Sequence, residues 1–235
     1  MPTPARRLPP AAALGAALAV PLAVPLLVPP ATAVADTAAP AAVPAGTYVL
    51  DPSHSTLVFR VSHLGFSFYT ASFDDFDATL RFDPGRPEES ALDVRVDVAS
   101  LRLPTPPAGF REELLGPAWL DAGAHPEMSF VTTSVEPRED GSLRADGELT
   151  LRGETRPVAL DVTFNGGYAG LPGLDPRARA GFSARGTLRR SDFGIDFGVP
   201  APGSDFGVGD TVELLVETEF TGPPLADPPD PPDVR

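Results

Sequence analysis

The sequence predicts an all-β domain, a closed barrel or a sandwich of about eight antiparallel strands with one short helix. Three observations carry this. Between Gly46 and Thr221, apolar residues recur at every second position in segment after segment. Only one stretch in that span has a helical pattern. Proline is concentrated outside it, with ten of the 30 prolines before Gly46 and six after Thr221.

The elements follow in order. In "STLVFRVSH", Leu57, Phe59, Val61 and His63 share one face; in "FDATLRF", Phe76, Ala78, Leu80 and Phe82 do so. "ALDVRVDV" sets Leu92, Val94, Val96 and Val98 against Asp93, Arg95 and Asp97. Further strands are predicted in "EMSFVTTSV", "SLRADGELTLRG", "RPVALDVTF", "ARAGFSARGTLRR" and "TVELLVETEF", with "GETRP" as a hairpin connection. One apolar and one polar face describe an antiparallel sheet with a wet side. The helix is predicted in "PPAGFREELLGPAWLDA": Pro107 suits a first helical position, Gly116-Pro117 stops the helix, and another turn carries Trp119.

A barrel of this size is either filled by side chains or holds a small ligand. Phe59, Phe76, Phe82, Phe130, Phe164 and Phe182 share the inward faces with Ala78, Ala145, Gly147, Ala180, Ala184 and Gly186. That mixture fits a packed core around a taper as well as a cavity.

The flanks read differently. Residues 1–35 carry Arg6 and Arg7, an apolar stretch from Ala11 to Val28, and Ala33-Val34-Ala35 as an A-x-A cleavage site, the pattern of a secretory signal peptide. An uncleaved anchor is the alternative. Residues 36–45 read as a flexible linker, 46–221 as the barrel domain, and 222–235 as a Pro/Asp-rich disordered tail. The expected location is periplasmic or secreted, after cleavage.

Composition narrows the chemistry. The absence of cysteine excludes disulfides, thiolate metal sites and a cysteine nucleophile. All 18 basic residues are arginine, and the net charge is −14, a poor match for nucleic acid or an anionic membrane surface. Two of the three histidines, His54 and His63, flank one strand. Their odd separation puts them on opposite faces, so they do not chelate one metal without a bulge. No close-spaced zinc pair is present, and no metal or other cofactor is expected. "GFSFY" and "GFSAR" lack the last glycine of a nucleophile elbow, and there is no phosphate-cradling loop. Asp74, Asp75 and Asp77 fit a solvated turn better than a calcium loop. No catalytic group is assigned, and the chain is not expected to be an enzyme.

"YVLDPSHSTLVFRVSHLGFS" resembles the opening of the YceI-like family, a D-x-x-H-S-x-x-x-F-x-V-x-H-x-G pattern filled by Asp51, His54, Ser55, Phe59, Val61, His63 and Gly65. "FREELLGPAWLDAGAHPEMSF" is similar to that family's helix, aromatic-x-Asp turn and P-x-x-x-F, through Arg111, Leu115, Trp119, Asp121, Pro126 and Phe130. "GELTLRGETRPVALDVTFNG" resembles its L-T-I-R-G-x-T-R-P-V hairpin, and "RRSDFGI" its R-S-D-F-G signature through Arg190, Ser191, Asp192, Phe193 and Gly194. The sequence departs from the family at Ala71 and Ala78, where glycine is usual, and at Glu112.

The resemblance implies an extended antiparallel lipocalin-like barrel with its short helix near one end. It implies an exported protein that binds polyisoprenoids, isoprenoid quinones or fatty-acid-like amphiphiles for transport, storage or scavenging. Members of that family are often dimers, so the resemblance allows a homodimer; the acidic charge argues against nucleic acid binding, and the cleavage site against stable membrane insertion. A packed structural or stress-response barrel, or an enzyme acting on an isoprenoid in the same cavity, remains open beside this. The ligand's chain is expected along Phe59, Val61, Phe76, Leu80, Phe82, Val94, Val96, Met128, Phe130, Phe164 and Phe182. Its polar end is expected to meet His63, Arg111 or Trp119, with Arg189 and Arg190 as further cations.

Overall fold

Eleven strands, all in antiparallel pairs, form one sheet in the computed structural model, which describes residues 43–225. They are β1 (Gly46–Leu50), β2 (Thr56–His63), β3 (Ser67–Phe73), β4 (Phe76–Phe82), β5 (Ala91–Asp97), β6 (Leu101–Arg102), β7 (Glu127–Pro137), β8 (Leu143–Leu151), β9 (Glu154–Tyr168), β10 (Arg177–Arg189) and β11 (Val208–Pro224). The helix α1 (Phe110–Leu115) lies between β6 and β7. Neighbours run β1-β4-β5-β7-β8-β9-β10-β11, and β11 returns to β1 through Val49↔Thr221 and Leu50↔Phe220. Eight strands therefore close a barrel, which removes the unpaired edges an open sheet would expose.

The other three strands lengthen the wall. β1 and β2 are halves of one stave, broken by the turn Pro52–His54; β2 pairs with the first half of β11, β3 with β2, and β6 with β3. α1 and the residues after it stand where β6 ends and β7 has not begun.

Alternation is clearest in β4, where Phe76, Ala78, Leu80 and Phe82 are buried and Asp77, Thr79 and Arg81 are exposed. In β1 and β3, which with the two-residue β6 are the strands that sequence reading misses, apolar residues also sit on the outer face. Val49 and Phe68 point outward although apolar, each 53% exposed. The cation of Arg60 covers Phe68, 4.9 Å from its ring centre.

Two local expectations shift. Pro107 is not the first helical residue: its carbonyl accepts from Phe110 N at 3.2 Å, and α1 begins only after Gly109, whose φ is 79°. The β8–β9 turn is Arg152-Gly153, both left-handed (φ 54° and 76°), so Glu154 already opens β9. Two consecutive positive φ values are the signature of a type I′ hairpin.

The folded region also outruns its expected limits. Val43 is buried, and Tyr48 donates its hydroxyl to Pro44 O at 2.6 Å. Residues 222–224 belong to β11 rather than to a tail. The expected signal peptide, most of the expected linker and the tail beyond residue 225 lie outside the described residues.

One barrel end is packed by rings. Phe82 meets Tyr48, Phe164 and Phe182 at centroid distances of 6.3, 5.4 and 5.3 Å, and Phe182 meets Phe164 and Phe220 at 5.2 and 5.9 Å. α1 covers the opposite end. Between plug and helix the barrel is hollow.

Candidate binding site in the barrel lumen

The lumen is a cavity of about 330 Å³ with an almost wholly apolar wall. That volume falls within the range of small-molecule sites. Strand alternation explains the wall, since residues two apart on every stave point inward. Of the residues expected along it, Phe59, Val61, Phe76, Leu80, Phe82, Val94, Val96, Trp119, Met128, Phe130 and Phe182 line the lumen. Ala78 and Ala145 line it too, so the methyl of Ala78 faces the cavity.

Three expected contacts are corrected. His63 is exposed and outside the lumen wall. It is the last residue of β2, opposite Val208, and β11 carries extra residues between Val208 and Val212 while β2 advances only from His63 to Val61. The regular register that would carry His63 inward ends there, where the chain turns through Leu64 and Gly65 at positive φ. Arg111 does not reach the lumen either. Its guanidinium turns back to donate to Leu101 O at 2.9 Å and to Ala99 O, tying α1 to the wall. Phe164 lies outside the lumen wall, its ring against Phe82 and Phe182 in the aromatic plug.

The polar residues of the opening motif have structural work at the barrel's other end. The Asp51 carboxylate accepts from Ser53 N at 3.0 Å, from Arg179 Nη1, and contacts His54 Nδ1 at 3.1 Å. The Arg179 hydrogen bond is the main reason its pKa falls to about 2. Ser55 donates to Asp51 O at 2.8 Å, and Asp51 N donates to Glu219 O at 2.8 Å. Asp51, His54 and Glu219 bring potential metal-ligand atoms within 4.8 Å of one another, a juxtaposition created by β11. The charge of Asp51 is already met by Arg179.

The remaining motifs converge at the α1 end. Arg152, in the β8–β9 turn, donates to Pro117 O at 2.7 Å and to Gly194 O, joining the residues after α1 to the turn Arg190–Phe193. Ser191 is held by Asp210, which accepts from its N–H and its hydroxyl at 3.0 Å each. Arg190 is 4% exposed and lines the lumen. It donates to the carbonyls of Gly209, Ile195, Phe197 and Val208 at 2.7 to 2.9 Å and lies 5.1 Å over the Trp119 ring. Burial lowers its pKa, opposed by Asp210 and Asp196.

Tyr69 also lines the lumen and was not anticipated. The signal was present in "SFYTASF", where Tyr69, Ala71 and Phe73 alternate inward, but Phe68 on the outer face masked it.

Comparison with known proteins agrees with this architecture. Residues 48–220 match the profile of the YceI-like domain. A UPF0312 protein of Pseudomonas savastanoi pv. phaseolicola is 38% identical over 155 residues, covering 64% of this chain and 77% of the relative. One from Pseudomonas fluorescens is 40% identical over 159 residues with the same coverage. Among solved structures, Burkholderia cenocepacia BcnA superposes with a TM-score of 0.61 at 22% identity, over 72% of this chain and 98% of that one. A Campylobacter jejuni YCEI protein gives 0.56 at 26% identity, over 68% and 89%. A polyisoprenoid binding domain from Saccharophagus degradans gives 0.52 at 11% identity, over 76% and 99%. With a match that spans nearly the whole barrel, the chain belongs to the YceI-like family.

Proposed function

We propose that this protein holds one long apolar chain, an isoprenoid, an isoprenoid quinone or an acyl amphiphile, inside its barrel, and that it works outside the cytoplasm as a carrier, store or scavenger of that molecule. The observation that carries this is the apolar lumen between the aromatic plug and α1. Burying hydrocarbon contributes about 0.8 kcal/mol per methylene. Ten methylenes then contribute about 8 kcal/mol before the cost of ordering the chain, so affinity needs no elaborate polar site. Export is supported by the leader pattern of residues 1–35. Catalysis needs a titratable group in the lumen with an acid or base partner. His63, the candidate that the sequence offers for that part, lies outside it.

The test is titration of the purified barrel with N-phenyl-1-naphthylamine, an apolar dye that brightens when desolvated. Saturable one-to-one enhancement that long-chain amphiphiles reverse supports the reading. Absence of saturable uptake by delipidated, folded protein contradicts it.

A further inference from the structure

The outer surface carries its own apolar cluster. Phe66, Phe206 and Phe197 are 82%, 77% and 57% exposed, and all three sit on loops rather than strands. The chain folds these loops together. Leu64 N donates to Gly207 O and Val208 N to Gly198 O, each at 2.8 Å. A Cβ on Gly207 would stand 2.6 Å from Gly198 O, so glycine is what lets the two ends of this loop approach so closely. A Cβ on Gly65 would stand 2.9 Å from Cβ of Asp205, so Phe66 and Phe206 each follow one of two residues in contact. The cluster is continuous with the α1 end of the lumen. The Phe197 ring packs on Trp119 with centres 5.5 Å apart, and Trp119, Ile195 and Val208 line the lumen.

Exposed apolar surface gathered in this way marks an interaction site. Two properties choose the partner. The first is size. A stable protein interface buries about 800 Å² per partner. Three partly exposed rings of about 200 Å² each offer less. A lipid surface needs no matching shape, and attachment to it scales with the apolar area buried. The second is charge. Asp196 and Asp205 are exposed on the same loop as Phe197 and Phe206, and residues 64–67 and 194–207 contain no arginine or lysine. Arg60, further along β2, is engaged by Glu213 at 2.6 Å. Carboxylates beside exposed rings repel an anionic surface and favour ammonium head groups, which aromatic faces also attract.

We propose that Phe66, Phe197 and Phe206 dock the protein reversibly on a zwitterionic, ammonium-bearing lipid bilayer. Docking sets the α1 end of the lumen against the layer from which an apolar chain is taken or to which it is returned. The purpose of the contact rests on the lumen reading given above, and the contact adds the partner. The attachment itself is measured without any ligand. Leu174 provides the control: it is about as exposed as Phe206 but lies on the β9–β10 loop at the plug end, beside the ion pair of Asp175 and Arg179.

The test is flotation of protein purified from its own host with vesicles of phosphatidylcholine or of phosphatidylglycerol. It compares the parent, Phe66→Ser, Phe206→Ser, their double variant and Leu174→Ser. All the altered side chains are exposed, so melting temperatures and dye affinity without vesicles should stay level. The parent should float with phosphatidylcholine and at least about fivefold less with phosphatidylglycerol. Each single phenylalanine variant should lower the partition coefficient by about threefold or more and the double variant by about tenfold or more, with Leu174→Ser changed less than about twofold. A parent that floats with neither vesicle, or at least as well with phosphatidylglycerol, overturns the proposal. So does a loss in Leu174→Ser as large as that in Phe66→Ser. If the phenylalanine variants keep their flotation and instead lose a defined protein complex that the parent forms, the surface belongs to a protein and the proposal falls. Flotation as expected by a parent that takes up no dye keeps the docking surface and defeats the lumen reading alone.

Discussion

Ala78→Phe separates a hollow barrel from a packed one. Ala78 is 6% exposed, on the inner face of β4 between Phe76 and Leu80 and opposite Val94. The new ring adds about six carbons to the lumen, each about the size of a methylene. If a bound chain gave up that space entirely, the loss would approach 5 kcal/mol at about 0.8 kcal/mol per methylene. A chain that shifts sideways in a cavity of about 330 Å³ recovers part of this. The expected loss is about 2 kcal/mol, or about thirtyfold in Kd. The free protein responds in the opposite sense. In a filled core the ring would cost about 1–3 kcal/mol through overpacking. In a hollow one it fills a void, and Tm holds or rises. Dye titration and thermal unfolding of the same preparation read both quantities. A lowered Tm with unchanged affinity would refute the reasoning, because the wall at Ala78 would then be packed and the ligand elsewhere.

Three more outcomes follow from the geometry. Asp51→Asn should cost about 1 kcal/mol at pH 7, discounted for partial exposure. A carboxylate lowered from 3.8 to about 2 stabilises the fold above the unfolded value and loses that contribution as pH falls through the folded one. Chemical denaturation of parent and variant should therefore converge between about pH 4 and about pH 2. Gly222→Ala would put a Cβ 2.1 Å from Cε1 of Tyr48, a fully buried ring, so denaturant midpoints should report a loss of about 1–3 kcal/mol or more. An unaltered midpoint would mean that residues past Thr221 do not pack on the barrel. His63→Ala should leave dye and amphiphile affinities within about twofold, since interactions outside the wall contribute little to burial of the chain.

The barrel was legible because its physical signal is redundant. β4 and β5 each repeat the period-two pattern, and eight staves of it admit few architectures. The lumen wall was legible for the same reason: once Phe76 faces inward, Leu80 and Phe82 must follow. What escaped depended on breaks in that periodicity. His63 follows the pattern of Phe59 and Val61 on paper, but the bulge in β11 and the turn at Leu64 end the register at that point. Arg111 has an arginine's reach, and its destination at the carbonyls of Ala99 and Leu101 is set by tertiary contact. The meeting of Trp119 and Arg190 from distant segments is likewise a product of barrel closure. The family motifs locate the right segments without saying which of their side chains face in.

The most direct test of the apolar lumen is mass spectrometry of the organic extract from protein purified under native conditions from its own host. A long-chain isoprenoid or acyl molecule at close to one per protein, reduced in an extract of the Ala78→Phe variant prepared in parallel, is the predicted result. Parent protein that yields no such molecule, and that accepts none when amphiphile is supplied, would contradict the account.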